Sequence, residues 1–128
     1  MKFLENKKIL IIITGGIAAY KTLDLIRKLS KLNCEIKTIL TKSGKEFVTP
    51  LSITSLSKNK VYTDLFSVEN ESEMDHISLS RWSDLILVAP ASSNFLTKIS
   101  NGFSDDLAST VIKAVSYTHL TLPTSKRV

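Results

Sequence analysis

The sequence predicts an α/β, doubly wound fold built on a parallel sheet. Two apolar runs, at residues 8–13 and 84–89, contain no polar alternation, which is typical of strands covered on both faces. An amphipathic helical pattern at residues 17–32 separates the first run from another strand pattern at residues 35–40. Strands that alternate with helices in this way form parallel sheets in α/β proteins.

The composition is that of one compact domain. The chain has 128 residues, of which 43% are apolar and 23% charged, and this size supports a core without disulfides. A single cysteine, Cys34, excludes an intrachain disulfide and fits a reducing compartment, so we expect a cytoplasmic protein. The apolar run after Lys8 is too short for a signal peptide or a membrane span, and neither is expected.

The net charge does not predict a nucleic-acid partner. Lys and Arg number 17 and Asp and Glu 12, giving +5, but the lysines are scattered singly and form no basic stripe. We interpret most of this charge as solvated surface. The net charge is compatible with a small anionic ligand.

The first βαβ unit occupies residues 8–40. Its first strand ends at Thr14, Gly15 and Gly16, and Asn33 ends the helix before the second strand. Residues 41–66 carry weaker signals, namely a short helix near Lys45, a break before a helix that runs to residue 56, and a short strand at residues 61–62.

The second half begins with an acidic, polar loop at residues 68–75. Residues 76–82 can form two helical turns, and the strand at residues 84–89 is expected to stop at Pro90. A helix should begin at Ser92 or Ser93, which are both favourable caps, and another near Ser104 that runs to about residue 115.

The last residues differ in composition from the rest. Residues 116–128 are rich in threonine, continue no helical period and contain a proline. We interpret them as a non-native tail, and residues 1–115 as a domain that is incomplete at its C-terminal end. On this interpretation the last helix lacks a neighbouring strand, which would leave Leu107, Val111 and Ile112 exposed.

Three polar segments follow strands, where the carboxyl ends of a parallel sheet bind ligands. Each alone has an ordinary interpretation, a tight turn for the first and a helix start for the others, and their convergence on one sheet edge is the informative feature. The segments are Thr14-Gly15-Gly16-Ile17-Ala18-Ala19-Tyr20-Lys21, Thr41-Lys42-Ser43-Gly44 and Pro90-Ala91-Ser92-Ser93-Asn94.

Four other side chains are candidates for catalysis or for ligand binding. His76 could exchange a proton or hold an anion, or it could be a surface histidine at a helix start. Cys34 opens a strand and is expected to be a packed thiol. Asp105 and Asp106 have no second ligand cluster, so no metal site is predicted, and a helix start or a subunit contact is the favoured use.

Four ordered motifs resemble those of the homo-oligomeric flavin-containing cysteine decarboxylases, over about residues 7–115. Ser93 in the third motif, Phe95 directly after it and Ser104 in the fourth motif depart from the family's usual residues. The motifs are Gly15-Gly16-Ile17-Ala18-Ala19-Tyr20-Lys21, His76-Ile77-Ser78-Leu79, Ala89-Pro90-Ala91-Ser92-Ser93-Asn94 and Asn101-Gly102-Phe103-Ser104-Asp105-Asp106-Leu107.

The resemblance implies a flavodoxin-like (Rossmann-like) three-layer fold that binds FMN. It also implies that His76 takes the position of the family's active-site histidine. The residues that it places beside the cofactor are Gly15, Gly16, Ile17, Ala18, Thr41, Ser43, Ser92, Ser93 and Asn94.

The activity that the resemblance implies is FMN-dependent decarboxylation of phosphopantothenoylcysteine in coenzyme A biosynthesis. The parent would be a homo-oligomer, based on trimers, and would also carry a phosphopantothenate–cysteine ligase part. The family's Pro-x-Met-Asn-x-x-Met segment and its flap cysteine do not occur in the 128 residues, so the chain itself is expected to be inactive. A non-catalytic FMN-binding regulatory subunit and a flavin prenyltransferase-like enzyme remain alternatives.

Overall fold

The computed structural model describes residues 2–63, 76–114 and 119–123, so the predicted acidic loop at residues 68–75 lies outside the described residues. Short 3₁₀ turns occupy Lys2–Leu4 and Gly44–Glu46. The remaining elements are β1 (Lys8–Ile13), α1 (Ala19–Lys31), β2 (Glu35–Leu40), α2 (Pro50–Ser57), β3 (Val61–Tyr62), α3 (His76–Trp82), β4 (Leu85–Ala91), α4 (Ser93–Ser100), α5 (Leu107–Ala114) and β5 (His119–Pro123).

The strands form one sheet in the order β3-β2-β1-β4-β5, and every neighbouring pair is parallel. Ile9 of β1 is opposite Ile36 of β2 on one side and Leu85 of β4 on the other. The chain therefore builds outward from β1 to β3 and then returns to the other side of β1. This arrangement confirms the predicted doubly wound fold, and it places a topological switch point between β1 and β4.

The core consists of one apolar cluster on each face of the sheet. Successive β1 side chains point to opposite faces. Leu10 packs in the cluster that contains Val111 of α5, whereas Ile11 packs in the cluster that contains Ile26 of α1. Both faces of β1 are therefore covered, which explains the absence of polar alternation in its sequence and confirms the three layers.

Strand β4 continues through Pro90 to Ala91, so the expectation that Pro90 stops the strand is wrong. The pairing of β4 with β5 shifts register between Val88 and Ala91, and proline is tolerated at such an irregularity because no ladder hydrogen bond requires its N–H. The Pro90 carbonyl still accepts a hydrogen bond from the Thr14 N–H at 3.3 Å.

The last helix is covered, contrary to expectation. Leu107, Val111 and Ile112 are 4%, 0% and 7% exposed, because α5 packs in the same cluster as α3 and β1. The helix begins at Leu107 rather than near Ser104, since Asp106 caps it. Strand β5 follows and pairs with β4. Whether residues 116–128 are native stays a prediction.

No helix in the described ranges is both long and apolar enough to cross a membrane.

Candidate functional site

A cleft of about 370 Å³ opens at the carboxyl ends of β1, β2 and β4. Its volume is within the range of small-molecule sites, and it lies at the switch point of the sheet. The lining residues are Thr14, Thr41, Lys42, Ser43, Ser92, Asn94, Phe95, Lys98, Asp105 and Asp106.

Thr14 joins the loops that follow β1 and β4. Its side chain is buried, and its hydroxyl donates to the Pro90 carbonyl while accepting from the Ser92 N–H at 2.9 Å. The Thr14 hydroxyl thus fixes the relative position of two loops that are far apart in sequence. Its donor is already used, so Thr14 builds the cleft wall.

The loops that follow β1 and β2 approach each other closely at Gly15. A Cβ at Gly15 would lie 2.8 Å from the Ser43 Cβ, which is closer than such atoms can approach. Thr41 holds the second loop, because its hydroxyl donates to the Ile13 carbonyl at 3.1 Å and accepts from the Gly44 N–H at 3.1 Å. Gly15 is therefore required by contact between the loops.

The N-terminus of α4 faces the cleft. Ser92 caps the helix, and its hydroxyl accepts from the Phe95 N–H at 3.1 Å. Ser43 and Asn94 are exposed, and their side chains form no hydrogen bond with other described residues. Together with the partial positive charge of the helix N-terminus, this edge can bind an anion or a polyol.

Three charged side chains form a cluster on the α4 and α5 side of the cleft. The Lys98 ammonium lies 3.0 Å from a carboxylate oxygen of Asp105 and 3.0 Å from one of Asp106. Desolvation lowers the pKa of Lys98, but the hydrogen bonds to both carboxylates outweigh it and raise that pKa overall. We call Lys98, Asp105 and Asp106 the acidic cluster, because its net charge is negative.

Asp106 also begins α5. Its carboxylate accepts from the Ser109 N–H at 2.9 Å, and the Ser109 hydroxyl accepts from the Asp106 N–H at 3.3 Å, which is a reciprocal helix cap. Burial alone would raise the pKa of Asp106, but the hydrogen bonds from Ser109 and Lys98 hold it below its usual range. Asp106 therefore joins the cleft to the start of a helix.

Lys42 is the remaining charged residue of the cleft. It is exposed, and it takes part in no ion pair with other described residues. Sequence reasoning placed Lys42 in a candidate loop without giving it a role. It also missed Phe95 and Lys98, although Asn94 and Lys98 are four residues apart, which is the spacing of neighbours on one helix face.

The structure brings together four of the predicted cofactor residues, namely Thr41, Ser43, Ser92 and Asn94. The other predicted cofactor residues do not line the cleft, although Gly15 contacts the loop of Ser43. They are Gly15, Gly16, Ile17, Ala18 and Ser93.

Two predicted residues lie away from the cleft lining. His76 is half-buried at the first position of α3. The Cys34 thiol donates to the Leu4 carbonyl at 2.9 Å, and burial raises its pKa. Cys34 is thus a protonated structural thiol. Within the described residues no group of three or more His, Cys, Asp or Glu side chains is placed to hold a metal ion.

The sequence matches a known family and several curated proteins. Residues 2–124 match the family described as Flavoprotein. The bifunctional protein CoaBC of coenzyme A biosynthesis from Haemophilus influenzae is 44% identical over 113 residues, which are 88% of this chain and 28% of that protein. A probable phosphopantothenoylcysteine decarboxylase from Streptococcus mutans is 39% identical over 110 residues, 86% of this chain and 62% of that protein.

Solved structures share the fold. MrsD from a Bacillus species superposes with a TM-score of 0.82 at 23% identity, covering 96% of this chain and 70% of that one. The FMN binding protein AtHal3 superposes with a TM-score of 0.76 at 28% identity, covering 93% of this chain and 66% of that one. The chain spans 28% of the length of the CoaBC protein that it matches.

Proposed function

Since this chain belongs to the Flavoprotein family, we propose that it binds FMN in the cleft and forms the decarboxylase part of an enzyme that acts on phosphopantothenoylcysteine in coenzyme A biosynthesis. The observation that carries the proposal is the 44% identity to CoaBC across 88% of the chain. The family match over residues 2–124 includes all three strand-end loops of the cleft. A ligase part elsewhere in the parent protein belongs to the same proposal.

The donors and surfaces of the cleft fit FMN. The α4 N-terminus, the Ser43 hydroxyl and the Lys42 ammonium can hold a phosphate, and the Asn94 amide can bind the ribityl hydroxyls. Phe95 offers an apolar wall for an aromatic ring. When bound, FMN would supply the two-electron redox chemistry, taking two electrons from the cysteine unit and returning them to the decarboxylated product.

The protein positions the reactants. Thr14 and Thr41 fix the loops through hydrogen bonds to backbone groups, so the cleft exists before the ligand binds. The acidic cluster fixes the opposite wall, because Lys98 holds the segment before α5 through both carboxylates. A preformed cleft lowers the entropy cost of binding.

His76 is proposed as the group that holds or transfers a proton on the substrate. Its imidazole has ring nitrogens that can donate a hydrogen bond to a carboxylate or a thiol. It begins α3 and lies outside the cleft lining. We therefore assign it to the substrate rather than to the cofactor.

The parent protein is proposed to be a homo-oligomer, based on trimers. Large apolar side chains are exposed around the cleft loops and the start of α2, and contact between copies would cover them. These are Ile17 at 77%, Tyr20 at 58%, Phe47 at 46% and Leu51 at 78% exposure. A single cysteine and a metabolic small-molecule substrate fit a cytoplasmic location.

The cofactor is tested by equilibrium titration of the chain with FMN and with FAD, followed by flavin fluorescence. We expect saturable, stoichiometric FMN binding and weaker FAD binding, because the sequence contains no dinucleotide fingerprint with a ribose-binding acid. Tighter binding of FAD, or no binding of either flavin, would contradict the proposal.

The reaction is tested with a chimera in which residues 2–114 replace the matching segment of Haemophilus influenzae CoaBC. We expect the chimera to release carbon dioxide from phosphopantothenoylcysteine. A chimera that binds FMN but releases no carbon dioxide would contradict the proposed activity, and the native CoaBC is the positive control.

A further inference from the structure

We propose that Lys42 is the residue by which the cleft selects a phosphorylated flavin over riboflavin. The inference rests on the proposed binding of FMN. It adds a specificity determinant in the loop that follows β2, outside the residues that the family resemblance placed beside the cofactor.

The first argument is the charge of the cleft. Among the described residues, four charged side chains line it, and Lys98 lies 3.0 Å from both Asp105 and Asp106. The positive charge of Lys98 is therefore already compensated, and the acidic cluster as a whole carries one negative charge. Without Lys42 the described lining side chains would carry a net negative charge, which disfavours a phosphate dianion. With Lys42 their summed charge is zero, and one ammonium group is available to the ligand.

The second argument is position within the sheet. Lys42 follows β2, whereas Lys98 belongs to α4, which follows β4, and β1 lies between these two strands. Neighbouring strands are about 4.8 Å apart, so β2 and β4 are separated by about 10 Å. Apart from the partial positive charge of the α4 N-terminus, the charged side chains of the cleft are thus positive at its β2 side and, on balance, negative at its α4 side. A ligand with one charged end should place its phosphate at the β2 side.

The third argument is that the other polar side chains at the β2 side are either already hydrogen-bonded or uncharged. The hydroxyl donors of Thr14 and Thr41 are used for the Pro90 and Ile13 carbonyls. Ser43 has a free hydroxyl, but a hydroxyl carries no net charge and can also bind a neutral polyol. Among the described side chains at the β2 side of the cleft, Lys42 alone carries a positive charge that distinguishes a phosphate monoester from an alcohol.

The test compares FMN and riboflavin binding by fluorescence quenching for the 128-residue chain and three variants. We expect Lys42→Gln to weaken FMN binding about 10-fold, the scale of one charge-assisted hydrogen bond, and to leave riboflavin binding within about twofold. Lys42→Glu should weaken FMN binding further. Lys45→Gln is the matched control, since Lys45 is exposed on the same loop but does not line the cleft.

Salt dependence gives a second readout. Raising the ionic strength from about 0.01 M to about 0.2 M should weaken FMN binding by the unmodified chain more than by Lys42→Gln, because screening acts on the charge that the variant lacks. Riboflavin binding should not respond in either protein.

The outcomes separate this inference from the proposed function. Equal FMN affinity in the chain and in Lys42→Gln, or equal weakening of FMN and riboflavin, would overturn the role of Lys42 and leave FMN binding intact. A loss of FMN affinity in Lys45→Gln as large as in Lys42→Gln would also overturn it. A chain that binds neither flavin would overturn both proposals.

Discussion

Thr38 is a buried polar residue with an unsatisfied hydroxyl group. Its side chain lies in the middle of β2 with 0% exposure, and its hydroxyl oxygen has no hydrogen-bond partner within the described part of the chain. Thr22 of α1 is also buried, but its hydroxyl donates to the Ala89 carbonyl at 2.8 Å. The two threonines therefore form a matched pair.

We expect Thr38→Val to stabilise the protein by about 1 kcal/mol, because it removes an unsatisfied hydroxyl and keeps the shape of the side chain. Thr22→Val should destabilise it by about 1–3 kcal/mol, since the Ala89 carbonyl then loses its partner. Urea unfolding measures both free energies. Destabilisation of the Thr38→Val protein by as much as the Thr22→Val protein would show that Thr38 has a partner.

At the scale of single residues, the catalytic prediction concerns His76. In the chimera with CoaBC, His76→Asn should retain FMN and lower decarboxylation by about 10²-fold or more, the scale of a lost acid–base group. FMN fluorescence and carbon dioxide release measure the two properties separately. Activity within a few-fold of the unmodified chimera would make His76 a structural residue, and Ser80→Ala on the same helix is the control.

At the scale of elements, the contact between α4 and α5 depends on ionised groups. Lys98 of α4 joins Asp106, which caps α5, and the cap and the ion pair share one carboxylate. Protonation of Asp106 would weaken both contacts together. The packing of α5 against the sheet should therefore respond to acid.

The pH dependence follows from the direction of the pKa shift. The pKa of Asp106 is lower in the folded protein than its ordinary value, so Asp106 stabilises the fold fully above the unfolded value, about 3.9. This stabilisation is lost as the pH falls through the folded pKa. Because the Asp106 side chain is 38% exposed, solvent screening limits its contribution to about 1 kcal/mol.

Asp106→Asn should therefore reduce the free energy of unfolding at pH 7 and flatten its decline between about pH 5 and pH 2. Urea unfolding across this range measures the slope. Glu46→Gln is the control, since Glu46 is an exposed carboxylate outside the acidic cluster. An Asp106→Asn protein with an unchanged acid slope would show that another carboxylate controls the acid response.

At the scale of the whole molecule, the prediction is that the 128-residue chain forms the cleft but does not sustain the reaction. The 128 residues contain the three strand-end loops and His76, but no Pro-x-Met-Asn-x-x-Met segment. The resemblance to the family implies that this segment supplies an asparagine for the substrate carboxylate. We expect the 128-residue chain to bind FMN without sustained decarboxylation, and the chimera to do both.

The measurement is carbon dioxide release by the 128-residue chain with saturating FMN, beside the chimera at the same flavin content. Sustained turnover by the chain alone would show that these 128 residues suffice for the reaction. It would also contradict the role given to the Pro-x-Met-Asn-x-x-Met segment.

The sequence by itself predicted strands β1 to β4, the helices between them and the family, but it did not predict β5. Burial on both faces restricts the interior of β1 to apolar residues, so the five residues from Ile9 to Ile13 carry the signal of a central parallel strand without any knowledge of their neighbours. The helix start at Ser92 was equally predictable, because capping depends on residues within one turn. The three loops were predictable as a group, since parallel strands end at one edge.

Only the tertiary structure decided which of those polar side chains are available to a ligand. Thr14 and Ser92 are 78 residues apart in sequence, and their hydrogen bond exists because β1 and β4 are neighbours in the sheet. Lys98 and Lys42 look alike in the sequence, but one is compensated by two carboxylates and the other is not. A side chain's partners depend on which distant segments the fold brings within about 3 Å of it, and local sequence does not contain that distance.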